Sequence, residues 1–393
     1  MKYDVCVVGG FGHVGLPLSI AFATKGVKTC ALDISNSRKE SIESGKMPFI
    51  EDINNDTLLS VLKNKNLTLS ITPADISESK NVIITIGTPL DEHGGPKLNV
   101  IEDMINSYFE YFRDDQLIIL RSTVYPNTTN KVSKLFSSRN KHVNIAFCPE
   151  RIVEGKALKE IFELPQIIGV SDKASRDAAT ELFKVLTKDV LVTGTLEAEL
   201  SKLLSNAWRY IKFSAANQFF MMCDEAGVDF YKVLEVMQYK YPRAQDLPKA
   251  GFAAGPCLFK DTSQLSAFNN NRFVLGNAAI SVNEGLPYYI VSKLKERYPI
   301  ENKTVGILGM AFKNDIDDPR DSLSYVLKNL LQYNSKKVFC SDPYIQDPEF
   351  LSTDELIKVS EIIIIATPHK QYKSLNLPKD KILVDVWNFI HRS

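Results

Sequence analysis

One cysteine has the surroundings of a reactive group. Cys257 follows the small-residue run Gly251-Phe252-Ala253-Ala254-Gly255-Pro256 and precedes Leu258-Phe259-Lys260-Asp261. A thiol just past such a loop has room for a ligand, and a neighbouring cation lowers its pKa and favours the nucleophilic thiolate. A buried, inert thiol is an equally open reading of these residues alone, because free cysteine is usually buried. That inert state is the expectation for Cys6, Cys30, Cys148, Cys223 and Cys340. No two cysteines form a C-x-x-C pair, so neither a disulfide framework nor a zinc site is expected, and the expected compartment is a reducing cytoplasm.

A second group of residues points to phosphate. Gly10-Phe11-Gly12-His13-Val14-Gly15 fits G-x-G-x-x-G, between an expected strand and an expected helix. Glycines there permit a tight turn and close approach of a pyrophosphate, whose charge is stabilised at the helix N-terminus. Asp33 lies 18 residues beyond Gly15, at the end of the next expected strand. A carboxylate at that place accepts from ribose hydroxyls and repels a 2′-phosphate, so NAD is favoured over NADP. Arg38 is near enough to count among the cofactor residues, although a charge on a helix usually faces water. Further on, Gly306-Ile307-Leu308-Gly309 is only part of such a fingerprint. It marks either a site for something other than a dinucleotide or a purely structural turn.

These groups must be positioned by regular elements. Strand-like runs fall at 4–10, 27–33, 82–86, 116–120 and 143–147, with helical stretches between them. Short apolar strands alternating with helices predict a parallel, doubly wound α/β sheet. From 196 to 240 the pattern becomes long helix, followed by a Gly/Pro-rich patch over 242–256. Strands resume at 303–309, 337–341, 361–366 and 382–385, which predicts a second, smaller α/β unit. At about 100° per residue, Glu199, Lys202, Asn206 and Arg209 fall on one side of the long helix. Leu200, Leu204, Ala207 and Ile211 fall opposite. The usual meaning of such a polar stripe is a solvated face.

Composition narrows the partners. The chain has 393 residues, with 47 Lys+Arg balancing 47 Asp+Glu. At roughly 100–200 residues per domain this predicts two or three domains. No basic excess serves a phosphate backbone, so nucleic acid is not an expected partner. No apolar run reaches the ~18 residues of a membrane span, and no signal peptide or membrane association is expected.

Taken in order, the motifs resemble the UDP-glucose/GDP-mannose 6-dehydrogenase family from about residue 3 to 390. The matching residues are Gly10 to Gly15, Gly87-Thr88-Pro89, Ser122-Thr123-Val124, Pro149-Glu150-Arg151 with Glu154-Gly155, and Glu199-Leu200 through Lys202 and Asn206. The Cys257 loop, Phe312-Lys313 with Asp318 and Arg320, Asp342-Pro343 and Thr367-Pro368-His369 complete the set. The resemblance implies two Rossmann-like domains, an NAD-binding one over 1–195 and a UDP-sugar-binding one over 296–393. They are joined by a helical dimerisation region over 196–295 that makes a homodimer.

The implied reaction is oxidation of the C6 hydroxyl of a UDP-hexose to a carboxylate, with two NAD used in succession. Alcohol oxidation needs a proton acceptor and support for developing oxygen charge. Aldehyde oxidation is made possible by a thiolate that adds to the carbonyl, and the resulting thioester is hydrolysed by water. By this resemblance Cys257 is the nucleophile, Lys202 supports the oxyanion, and Asn206 is a neighbouring donor. Asp261 and Thr123 activate water, and Glu150 lies close to the reacting centre. Gly10, Gly12, His13, Val14, Gly15, Thr88, Pro89, Thr123, Glu154 and Arg320 are placed with the cofactor, beside Asp33 and Arg38. Glu150, Arg151, Lys202, Asn206, Phe252, Gly255 and Lys313 are placed with the substrate, and Arg243 reaches it from the partner subunit.

Substrate signals are mixed. Phe-Ala-Ala-Gly-Pro-Cys departs from the Phe-Gly-Gly-Ser-Cys common in UDP-glucose enzymes, and Pro256 removes a backbone N–H. Cys148 to Arg151 and Tyr241-Pro242-Arg243 look more like relatives acting on 2-acetamido sugars. Glu154-Gly155 and Lys260-Asp261 look more like the UDP-glucose type. UDP-glucose leads as the expected substrate, with UDP-N-acetylmannosamine second. A catalytically inactive nucleotide-sugar sensor and a two-electron 3-hydroxyacid dehydrogenase are the rival readings, and neither needs Cys257 together with Lys202, Asn206 and Asp261.

Overall fold

The computed structural model describes residues 1–92 and 95–390. The last three residues of the expected UDP-sugar domain lie outside that set. The chain divides into two compact units, Met1–Ser205 and Asn206–Ser393.

Among the described residues of the first unit, eight strands form one sheet: β1 (Tyr3–Val8), β2 (Thr29–Leu32), β3 (Leu67–Ser70), β4 (Ser79–Ile84), β5 (Leu117–Leu120), β6 (Asn144–Phe147), β7 (Gln166–Gly169) and β8 (Val190–Thr193). Their order is β3-β2-β1-β4-β5-β6-β7-β8. All pairs are parallel except β6 with β7. The first six strands have the doubly wound order in which the chain reverses direction at β1. Helices cover both faces, so the strands read as continuous apolar runs. Val5 and Val7 pack on one face with Leu18 and Phe22 of the helix Gly15–Thr24. Cys6 and Val8 turn to the other face with Ile105 and Phe136. Cys6, Cys30, Cys148 and Cys340 are buried, while Cys223 is half-buried.

In the second unit, β9 (Thr304–Leu308), β10 (Lys337–Ser341), β11 (Ile362–Ile365) and β12 (Ile382–Val384) form a parallel sheet ordered β10-β9-β11-β12. The chain again reverses direction at its first strand. Leu286, Ile290 and Leu294 of the helix Val274–Arg297 share a core with Val305 and Ile307 of β9 and with Leu323, Leu327 and Leu331. The helices ahead of this sheet and the sheet itself are thus parts of one apolar cluster.

The expected long helical run is two helices, Thr195–Glu225 and Phe230–Gln238. Gly227, at a φ of +71°, lies in the break between them. Asp229 then starts the second helix by accepting from the Tyr231 N–H at 2.8 Å.

The long helix corrects the solvated-stripe expectation. Glu199 is 1% exposed and Asn206 7% exposed, whereas Leu204 and Trp208 are 52% and 54% exposed. Lys202 is half-buried, and of the four polar residues only Arg209 is exposed. Glu199 and Asn206 turn inward because they find partners there. Glu199 accepts from the Thr129 N–H at 2.8 Å and the Thr129 hydroxyl at 2.6 Å, and also from the Asn127 N–H. Burial pushes the Glu199 carboxyl above the usual carboxylate range, against the pull of these hydrogen bonds.

Candidate active site

The glycine loop is built by steric necessity. Gly9 makes the turn after β1 with a φ of +81°. A Cβ on Gly10 would lie 2.7 Å from the Ala31 Cα, and one on Gly15 only 2.2 Å from the Gly9 carbonyl oxygen. At Gly12 the nearest neighbour would be 3.4 Å away. The first and third fingerprint glycines therefore allow close packing, and the second leaves a face of the backbone open to a ligand. Val14 precedes the helix Gly15–Thr24 without a side-chain cap. Asp33 stands at the end of β2, where its Oδ2 accepts from the Phe11 N–H at 3.0 Å and its Oδ1 from the Ile34 N–H at 2.8 Å. Turn, open glycine and carboxylate thus occur together, and these residues fit NAD. Arg38 is exposed, and its backbone N–H is capped by Ser35.

This arrangement gives a direct prediction. Like charges brought together cost several kcal/mol, and ~1.4 kcal/mol is a tenfold change. NADP is therefore expected to be used with kcat/KM about 10²-fold or more below that for NAD. Steady-state NADH and NADPH formation checks it, and equal efficiencies would show that Asp33 does not face the ribose.

Around the same loop, the His13 ring stacks on Phe49 with centroids 4.0 Å apart, and its Nδ1 lies 3.9 Å from Glu154 Oε1. Thr88, just beyond β4 and beside Pro89, donates to the Thr123 carbonyl at 2.6 Å. That bond ties the loop after β4 to the loop after β5. Glu150 is 8% exposed and both of its oxygens are engaged. Oε2 receives Arg121 Nε at 2.7 Å, and Oε1 receives the Arg151 and Ile152 N–H groups at 2.7 and 2.9 Å. The Arg151 guanidinium donates to the Pro165 carbonyl.

Lys202 and Asn206 are one turn apart on the long helix. Among the described residues the Lys202 ammonium makes no hydrogen bond or ion pair. Asn206 donates to Asp261 Oδ2 at 2.6 Å. Asp261 is fully buried, with Lys260 Nζ 3.3 Å from its other oxygen. Asp261 belongs to the helix Leu258–Phe268, whose N-cap is Cys257. The Cys257 residue is exposed. A thiol at a helix N-terminus meets the positive end of the helix dipole, which favours the thiolate. Cys257 is thus not a buried thiol: it is exposed, at a helix start, one turn from a buried carboxylate.

The loop ahead of Cys257 is held from outside. Asn217 receives the Gly251 N–H at 2.8 Å and donates to the Gly251 carbonyl at 3.0 Å. A Cβ at Gly251 would sit 2.4 Å from the Trp387 ring. Gly255 has a φ of +100°, and a Cβ there would sit 2.4 Å from the Phe312 ring. Phe252 is buried in the core of this unit. Lys313 follows Phe312 in the loop after β9. Arg320 Nε donates to both oxygens of buried Asp318 at 2.9 Å. Arg243 is exposed, its guanidinium 4.8 Å from the Tyr241 ring centroid and its Nε 2.9 Å from the Tyr241 hydroxyl.

Reasoning from the sequence missed Arg121, Asn217 and Phe49. Arg121 is 3% exposed. A charge ending the apolar run 116–120 and an amide in the long helix were the available signals. Nothing local marks Phe49.

Comparison with known proteins agrees with this geometry. The chain matches the UDP-glucose/GDP-mannose dehydrogenase family in its NAD binding domain over residues 3–187, its central domain over 196–284 and its UDP binding domain over 306–392. A protein of Methanococcus maripaludis (strain C7) named UDP-N-acetyl-D-mannosamine dehydrogenase is 31% identical, over 97% of this chain and 90% of its own length. The solved UDP-D-ManNAc dehydrogenase of Pyrococcus horikoshii has a TM-score of 0.91 at 27% identity, covering 99% of this chain and 96% of that one. A UDP-glucose dehydrogenase from Pyrobaculum islandicum has a TM-score of 0.89 at 27% identity, covering 99% and 95%. With the fingerprint, the carboxylate and the accessible cysteine all in place, the chain belongs to the UDP-glucose/GDP-mannose dehydrogenase family, as an NAD-dependent UDP-sugar dehydrogenase.

Proposed function

We propose that the substrate is a 2-acetamido UDP-hexose, foremost UDP-N-acetyl-D-mannosamine, oxidised at C6 from alcohol to carboxylate. The observation that carries this reading is the 31% identity, over nearly the whole chain, to a relative of that name. The run Cys148-Pro149-Glu150-Arg151, Tyr241-Pro242-Arg243 and Pro256 before the thiol point the same way. UDP-glucose, which leads when the sequence is read alone, becomes the second reading. Glu154-Gly155, Lys260-Asp261 and the likeness to the Pyrobaculum enzyme favour it.

In this reading Gly10, Gly12, Gly15 and Asp33 hold NAD, which when bound accepts the hydride leaving C6 in each oxidation. Lys202 stabilises the charge that develops on the C6 oxygen. Cys257 adds as thiolate to the aldehyde, giving a thiohemiacetal and, after oxidation, a thioester. Asp261, held by Asn206, takes a proton from the water that cleaves the thioester. Glu150, already bonded to Arg121, fixes the loop that carries Arg151 and Glu154. Lys313 meets the nucleotide phosphates.

A homodimer belongs to the same proposal. Leu204, Trp208, Phe219 and Met222 lie along the outer side of the long helix, from 39% to 58% exposed. Exposed aromatic and Met side chains on one side of a helix favour a protein partner over water. A two-fold copy would cover it and place Arg243 beside the partner's substrate.

The experiment is a panel of UDP-N-acetylmannosamine, UDP-N-acetylglucosamine, UDP-N-acetylgalactosamine and UDP-glucose with NAD, counting NADH per sugar consumed. UDP-N-acetylmannosamine is expected to give two NADH and a uronate. Its kcat/KM should be about 10²-fold or more above that of UDP-glucose, since a site built around a polar group rejects the analogue lacking it. A preference for UDP-glucose would reverse the substrate assignment.

A further inference from the structure

Two motifs, Asp342-Pro343 and Thr367-Pro368-His369, take no part in the chemistry above, yet they build a densely bonded polar cluster in the second unit. The side chains of Asp342 and His369 are both fully buried. His369 Nδ1 accepts from the Asp315 N–H at 2.9 Å, so its proton is on Nε2, which faces Asp342 Oδ2 at 3.1 Å. The same Oδ2 receives the Met310 and Ala311 N–H groups at 2.6 and 3.0 Å. Oδ1 receives those of Tyr344 and Ile345 at 2.8 and 3.1 Å. Burial alone would push the Asp342 carboxyl up, but the His369 bond and these backbone donors hold it below the usual range. Thr367 adds a 2.6 Å hydrogen bond to the Ala311 carbonyl.

The consequence lies in what these bonds bracket. Met310 and Ala311 anchor one end of the loop after β9, and Asp315, at a φ of +61°, anchors the other. Phe312, Lys313 and Asn314 lie between the anchors. The loop stands at the C-terminal end of the strand where the second sheet reverses direction, the usual place for a ligand in such sheets. We propose that His369 is a positioning residue for a nucleoside diphosphate, locking the Lys313 loop at both ends by relaying Asp342 to the Asp315 backbone. This rests on the reading of Lys313 as a phosphate contact. A loop fixed in its binding conformation spends less of its binding energy on ordering.

The test uses the full-length chain and UDP alone as the probe, by calorimetry, with Lys313→Ala, His369→Leu and His369→Asn beside wild type. NAD affinity and kcat at saturating substrate are measured in parallel. Loss of both bonds in His369→Leu is expected to raise the UDP Kd about tenfold or more. NAD affinity should stay within about twofold, because only the loop is released. Asn retains an acceptor for the Asp315 N–H and should recover part of the loss. UDP affinity unchanged in His369→Leu, while Lys313→Ala weakens it, overturns the lock alone. Unchanged affinity in Lys313→Ala removes the phosphate reading and the lock with it. Loss of NAD binding in His369→Leu also overturns it, since the residue then supports the unit at large. If no variant folds, 15N NMR of wild-type histidine decides: an Nε2–H tautomer is expected, and an Nδ1–H tautomer contradicts the relay.

Discussion

Cys257→Ser is expected to abolish steady-state turnover, lowering kcat by about 10³-fold or more, on the scale of losing a catalytic nucleophile. Serine is nearly isosteric, and the exposed N-cap position tolerates it without disturbing the core. Its hydroxyl stays protonated near neutral pH, so the helix dipole that favours a thiolate has no anion to stabilise. UDP-sugar and NAD should still bind, and any serine ester that forms should hydrolyse slowly. The measurement is NADH per UDP-sugar, with mass spectrometry of quenched protein for covalently held sugar. Two NADH per sugar at near wild-type rate from the variant would sink the covalent mechanism. One NADH and a released aldehyde from wild type would remove four-electron oxidation altogether.

Lys202→Ala is expected to cost about 10²–10³ in kcat, the usual effect of removing one group that stabilises developing oxyanion charge. The half-buried ammonium lacks a partner among the described residues, so its removal leaves no buried carboxylate exposed, and the melting temperature should hardly move. Lys202→Arg is not expected to restore the rate, since a planar guanidinium does not replace a compact point charge. The thiol remains in place, so alkylation of Cys257 by iodoacetamide should proceed in the Lys202→Ala chain. A kcat within about threefold of wild type would show that the oxyanion is stabilised elsewhere.

What the sequence determined by itself is local or periodic. The glycine loop and Asp33 are legible because a tight turn, a close backbone approach and a carboxylate one strand later each demand a residue type at a set spacing. Nine of the strands are legible because a strand covered on both faces must be continuously apolar. β3, β7 and β8 were missed: each has four residues, and β8 leaves Leu191 59% exposed at the sheet edge. The order of motifs also carried the family.

Tertiary structure alone decided which face of the long helix is buried. Periodicity divides a helix into two faces without saying which one meets the protein. Glu199 turned inward because its donors, on Asn127 and Thr129, come from a helix start some seventy residues earlier. Asn206 turned inward to Asp261, 55 residues later. The same holds for Arg121 with Glu150, 29 residues apart, and for His369 with Asp342, 27 apart. In each case a buried polar group is stable only when its partner arrives through the fold, and no spacing along the chain encodes that meeting.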